Sequence, residues 1–175
     1  MADERNDDVL NGETTAERPC DDAQQTPAPT GFFGSYVHGV DATGRMIIPS
    51  PLRDGLGAVF AVGPTMDFKA IALYPVAEWQ RTLAKLRALR ELRPEVQRII
   101  DQFAKCSYPS SETDAQGRLL LPQKLRSRML GEAREVEISD ALDHIRVVGA
   151  QAAAEADEKF EQDYPDVLAF LGSIH

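Results

Sequence analysis

From Phe32 to Tyr74 the apolar residues fall in short extended runs, Phe32–Val40, Arg45–Ile48, Ala58–Gly63 and Phe68–Tyr74. Their aromatic and β-branched content predicts strands. Between the second and third runs, Pro-Ser-Pro-Leu-Arg-Asp-Gly-Leu-Gly (49–57) predicts a short helix, with Ser50 as N-cap, Pro51 as first helical residue, Leu52 and Leu56 on one face and Gly57 as the stop. A longer helical rhythm follows. Val76, Trp79, Leu83, Leu86 and Leu89 make a stripe at three and four spacing, Pro94 breaks it, and Val96, Ile99, Ile100 and Phe103 resume it, which predicts a helical hairpin. Beyond it the first rhythm returns: Pro122, Leu125, Met129 and Gly131 predict a second short helix of the same spacing, and Arg134–Ser139 and His144–Gly149 predict two more strands. Asp67 and Asp143 mark the turns inside the two later strand pairs, and Gln151–Asp163 predicts an acidic helix.

The recurrence extends to individual residues. Asp41 opens DATGRMIIPSPLR and Asp114 opens DAQGRLLLPQKLR, with seven identical positions of thirteen. An apolar face alone would preserve only the pattern. Preserving Asp, Gly and Arg as well points to a repeated turn, a repeated exposed cation, or both. Asp at its first position and Gly at its fourth match the residue preferences of a type I turn, here Asp41 to Gly44 and Asp114 to Gly117. The fold class read from these elements is α+β: two tandem β-β-α-β-β units joined by a helical hairpin and sharing one core about a pseudo-two-fold axis, because so short a unit cannot bury its own apolar face. The divisions are an acidic extension (1–31), a first unit (32–77), a helical connector (78–103), a second unit (104–150), and an acidic C-terminal helix and tail (151–175).

Charge changes this picture when divided along the chain. The whole carries a formal −9, but residues 1–30 hold eight acids and two bases, and residues 151–175 hold six acids and one base. The middle is therefore net +2, compatible with a local nucleic-acid patch. Residues 1–30 have few large apolar side chains and end in Pro-Ala-Pro, a composition that predicts disorder. The apolar runs fall short of the roughly 20 residues that cross a bilayer, and no signal segment opens the chain, so the cytoplasm is the expected compartment. Cys20 and Cys106 are expected to be free thiols, and His38, His144 and His175 make no metal spacing with them or with each other. His38 and His144 are expected to be structural, and Trp79 to belong to the core. No glycine-rich phosphate loop is present.

The doubled Asp-x-x-Gly-Arg motif at this spacing, with Ala-Leu-Tyr-Pro-Val-Ala-Glu-Trp (72–79) closing the first unit, resembles the MraZ family over roughly residues 32–160. The resemblance implies tandem AbrB-type swapped-hairpin units in a double-ψ barrel. It also implies a nucleoid-associated regulator, a repressor of its own division and cell-wall gene cluster, that works as a ring-like homo-oligomer on double-stranded DNA. Arg45 and Arg118 match the motif arginines, and Asp41, Gly44, Asp114 and Gly117 match its turn. Thr43 and Gln116 stand before the motif glycines, where the first copy in the family often has Lys. The acidic extension before Phe32 is a further departure.

Two readings of the arginines stay open. Arg45 and Arg118 either latch onto Asp41 and Asp114 across the turn, or leave it to enter a groove. Arg53, Lys124, Arg126 and Arg128 are candidate phosphate contacts or a solvated helix face. Paired carboxylates from duplicated halves can also share a proton in catalysis, but an adjacent guanidinium spoils that sharing, so no enzyme, cofactor, metal or small-molecule substrate is expected. The alternative to a regulator is an AbrB-fold scaffold or antitoxin-like protein with little DNA binding. For a regulator, the partners are promoter direct repeats and further copies of the chain.

Overall fold

The computed structural model describes residues 34–165 and 172–173; the acidic extension, Cys20, His175 and most of the tail after Pro165 lie outside the described residues. In chain order the elements are β1 Ser35–Gly39, β2 Arg45–Ile47, α1 Ser50–Leu56, β3 Val59–Pro64, β4 Ile71–Pro75, α2 Val76–Leu92, a 3₁₀ turn Pro94–Val96, α3 Gln97–Lys105, β5 Tyr108–Glu112, β6 Arg118–Leu120, α4 Gln123–Leu125, a π-turn Arg126–Leu130, β7 Glu135–Asp140, β8 Ile145–Gly149 and α5 Ala150–Asp163. The class is α+β.

Six strands form one antiparallel sheet in the order β1-β7-β8-β4-β3-β5, and β2 pairs with β6 in a separate two-stranded ribbon. Exchanging the two repeats, β1 for β5, β3 for β7 and β4 for β8, returns the same order read backwards. The first repeat's β1 lies on the second repeat's β7, and the second repeat's β5 on the first repeat's β3. One core results. Met46, Ile48, Leu52, Leu56, Ile71 and Leu73 from the first repeat pack with Leu119, Leu121, Leu125, Leu130, Ile138 and Ile145 from the second.

The closed barrel implied by the resemblance is not what these strands make. The sheet is open, with β1 and β5 at its edges, and β2 and β6 are three residues long. β1 and β2 are bridged only at Val40 and Met46 among the described residues, too little pairing to carry the sheet round into closure.

The faces of the sheet are covered unequally. β3 and β4 are buried on both faces, because α2 and α3 add a second cluster of Ala61, Ala72, Tyr74, Trp79, Leu86 and Phe103. Trp79 stacks on Phe103 at 5.5 Å, so it belongs to the core as the sequence predicts. The predicted α2 stripe is only partly used: Trp79 and Leu86 are buried, and Val76 and Leu89 remain 45% and 43% exposed. β7 alternates in burial, and α5 lays Ala153 against Ala70 and Val148.

Two local expectations are corrected. Ser50 does not cap α1. Pro49 precedes the helix and Ser50 is its first residue, its hydroxyl accepting from the Arg53 guanidinium at 2.9 Å. The second short helix does not repeat the first. Pro49 to Gly57 spans one residue fewer than Pro122 to Gly131, and the extra residue is absorbed as a π-turn, in which the Gly131 N–H reaches the Arg126 carbonyl at 3.1 Å. In α1 the Gly57 N–H reaches Arg53 four residues back. Leu56 is thus matched by Leu130, 7% exposed, and Met129 is only half-buried.

Candidate nucleic-acid interface

Each Asp-x-x-Gly-Arg stretch is a turn organised by its aspartate. The Gly44 N–H donates to the Asp41 carbonyl at 2.9 Å, and the Gly117 N–H to the Asp114 carbonyl at 2.8 Å. Both glycines have positive φ, +88° and +74°, where an L side chain is strained. One oxygen of each carboxylate accepts two backbone N–H groups: Asp41 from Thr43 and Arg45 at 2.8 and 2.9 Å, Asp114 from Gln116 and Arg118 at 2.9 and 3.0 Å.

The two turns then hold their arginines differently. The Arg118 Nε donates to Asp114 Oδ2 at 2.8 Å, a latch across the turn. Arg45 donates instead to the Thr43 hydroxyl at 2.9 Å, and that hydroxyl donates to Asp41 at 2.6 Å. Thr43, which replaces a cation in the resemblance, therefore stands between Arg45 and Asp41. Gln116 is exposed. The Asp41 carboxyl is held below the ordinary carboxylate range first by the Thr43 hydroxyl and then by the Arg45 N–H; Asp114 is held down first by the Arg118 N–H. A proton-sharing pair needs one carboxyl raised, so these two aspartates are structural anions.

Four further cations were candidates, and the structure divides them. The Arg53 guanidinium lies against Gly117, and the Arg126 guanidinium against Gly44, each closely enough that a Cβ on the glycine would overlap it. Each helix arginine therefore covers the opposite repeat's turn. The backbone repeats the exchange: the Ile48 N–H donates to the Gly117 carbonyl at 3.0 Å, and the Leu121 N–H to the Gly44 carbonyl at 2.9 Å. A hollow of about 400 Å³ opens between Asp41, Ala42, Gln123, Arg126 and Ser127. Lys124 and Arg128 are not part of this grouping. Lys124 donates to the Lys105 carbonyl at 3.1 Å, and Arg128 sits 5.7 Å from the Phe68 ring centre.

The ribbon fixes how the turns relate. β2 and β6 run antiparallel with Met46 opposite Leu119, both buried. Alternation along a strand then puts Arg45 and Arg118 on the opposite, outward face, diagonal to each other, a separation of about 7–8 Å between backbones. Two cations on one diagonal of the same face, each flanked by an exposed turn and a helix arginine, suit a polyanion with a groove. The sequence pattern missed the reciprocal docking of Arg53 and Arg126. Its only signal was that the Gly and the Leu-Arg pair are identical in both copies.

His144, expected on a strand, sits in the turn before β8, 2.5 Å from Asp143 and 5.0 Å from the Tyr74 ring, and His38 is half-buried on β1. Burial, then the charges of Asp143 and Asp67, raises the Tyr74 phenol well above its ordinary value. Cys106 is a buried free thiol. Among the described residues no group of three His, Cys, Asp or Glu is placed to hold a metal, and no helix is long and apolar enough to cross a membrane.

The model of the MraZ protein family, whose description also calls it antitoxin-like, matches residues 32–101. The chain is 37% identical to the transcriptional regulator MraZ of Acetivibrio thermocellus over 117 residues, which covers 62% of this chain and 80% of the relative. It is 32% identical to the protein of the same name from Heliobacterium modesticaldum over 140 residues, covering 80% of this chain and 96% of that one. A third, from Symbiobacterium thermophilum, is 31% identical over 140 residues, covering 80% and 99%.

Proposed function

The chain belongs to the MraZ family, and from that premise we propose that it is a DNA-binding transcriptional regulator that reads promoter DNA with the turns at Asp41–Arg45 and Asp114–Arg118. It acts as a repressor of its own division and cell-wall gene cluster, in the cytoplasm and associated with the nucleoid. It is not an enzyme. The tandem units are of the AbrB swapped-hairpin type, and the exchange of β1 and β5 between repeats supports that assignment.

The observation that carries this reading is the pairing of β2 with β6, which sets both motif arginines outward on one ribbon. A two-stranded ribbon fits the major groove, where an arginine can hold guanine by two hydrogen bonds. Thr43 and Gln116 take the polar contacts beside the arginines, and Arg53 and Arg126 leave the glycines to meet phosphate. Lys124 and Arg128 belong to a lateral phosphate surface.

One subunit offers too few cations for tight binding at physiological salt, because non-specific affinity scales with phosphates neutralised. A ring-like homo-oligomer supplies the rest by presenting identical ribbons at equal intervals. Its targets are direct repeats spaced near one helical turn of about 10 bp. The test is binding to the DNA upstream of the chain's own coding sequence. The variant Arg45→Ala/Arg118→Ala, with unchanged melting and oligomeric state, is expected to lose affinity, by ~1–3 kcal/mol for each base-reading arginine. Unchanged affinity would reject the proposal, and indifference to half a turn inserted between repeats would reject the ring.

A further inference from the structure

The outward face of the β2–β6 ribbon holds two aliphatic side chains as well as two arginines. With Met46 and Leu119 turned into the core, Ile47 and Leu120 must turn out, and they are 48% and 54% exposed. The register sets Ile47 directly across from Arg118, and Leu120 directly across from Arg45. The face is therefore a square of two cations on one diagonal and two aliphatic groups on the other. Ile47 and Leu120 stand at equivalent positions of the two repeats, and neither is among the residues of the apolar clusters. Beside Ile47 lies a hollow of about 320 Å³ bordered by Val40, Arg45, Met46 and Arg118, with room for a small apolar group.

In the major groove one apolar group stands on the base edges, the C5-methyl of thymine. The aliphatic diagonal spans about 7–8 Å, close to two base steps of roughly 3.4 Å each. We infer that Ile47 and Leu120 form an apolar subsite for the C5-methyl groups of two thymines within the box that Arg45 and Arg118 read. This rests on the DNA-binding reading above and deepens it: the arginines select guanine, and the aliphatic pair selects thymine over cytosine nearby. The competing role, bracing the arginine stems from across the ribbon, makes no contact with a methyl group.

Those roles separate when the methyl is removed from the DNA. The full chain is titrated against two versions of the duplex upstream of its own coding sequence, one natural and one with deoxyuridine in place of every thymidine. The wild type is expected to lose roughly fourfold in affinity per contacted methyl, the ratio that one buried methylene-sized group is worth. The variant Ile47→Ala/Leu120→Ala should bind the two duplexes within twofold of each other. Equal binding of both duplexes by the wild type overturns the inference and leaves the DNA reading intact. A variant weakened equally on both duplexes, while still distinguishing them as the wild type does, assigns the pair to bracing and overturns the subsite. No binding of either duplex by the wild type removes both the inference and the reading beneath it.

Discussion

The two repeats build the same turn and finish it differently. In both, an aspartate oxygen gathers two backbone N–H groups and a glycine with positive φ completes the reversal. In the second, Arg118 is held by Asp114 itself; in the first, Thr43 comes between, leaving Arg45 bonded to a neutral hydroxyl. The helices behind the turns diverge too, one a plain α-helix and the other carrying a π-turn. Such π-turns are rare and arise where one residue is accommodated inside a helix. The repeats thus share the backbone chemistry that sets the arginines in place and differ in the partner that holds each one.

The sharpest way to break this comparison is through the π-turn. If the added residue only shifts register, Leu130→Ala should destabilise the fold by about 2–5 kcal/mol in chemical unfolding, the same loss expected of Leu56→Ala in the first repeat. Met129→Ala should cost well under half of that. The reverse ranking would put Met129 in the role of Leu56. Next in size is the pair of arginines. Arg45→Ala should weaken operator binding by ~1–3 kcal/mol, and Arg118→Ala by less, because Arg118 must first give up its exposed ion pair with Asp114. Titration of the two single variants against one duplex measures the difference, and equal losses would erase it.

A smaller effect sharpens the same asymmetry. Asp114→Asn keeps an acceptor oxygen for the turn and removes the charge that holds Arg118, so it should tighten binding by up to about fivefold. Asp41→Asn should do less, since Arg45 is not bonded to Asp41. The smallest effect is in pH. Both carboxyls have folded values below the unfolded one, so their contribution to the turns is complete above the unfolded value of about 4 and is lost as pH falls through the folded one. Both turns should therefore loosen only in acid. Thr43→Ala should raise the Asp41 midpoint toward its ordinary value and leave Asp114 alone, as carboxyl NMR titration would report.

Much of this was legible in the sequence because it is local. The turns follow from Asp and Gly at fixed offsets, the break after α2 from Pro94, and the shared core from two half-sized apolar sets. What was not legible depends on counting or on partners. Leu125 and Met129 repeat the spacing of Leu52 and Leu56, so the pattern selected Met129, and only the longer span to Gly131 betrayed the shift to Leu130. Ser50 has the chemistry of a cap, but a proline at the preceding position took the cap's place. The docking of Arg53 on Gly117 and of Arg126 on Gly44 joins residues 64 and 82 positions apart, and no periodicity reaches so far. Nor does it show whether a ribbon of three-residue strands closes a barrel.

The exchange of edge strands also sets a timetable. Val37 lies opposite Glu137, so β1 leaves the ribosome long before the strand it pairs with exists. At ordinary elongation rates of about 5–20 residues per second, the wait is roughly 5–20 s, during which the first repeat has half a core and an unpaired edge. Contacts this distant in sequence slow folding and leave sticky intermediates. A nascent chain stalled before β7 should accordingly be a client for chaperones, and a gene cut between the repeats should yield two insoluble fragments in place of two small domains.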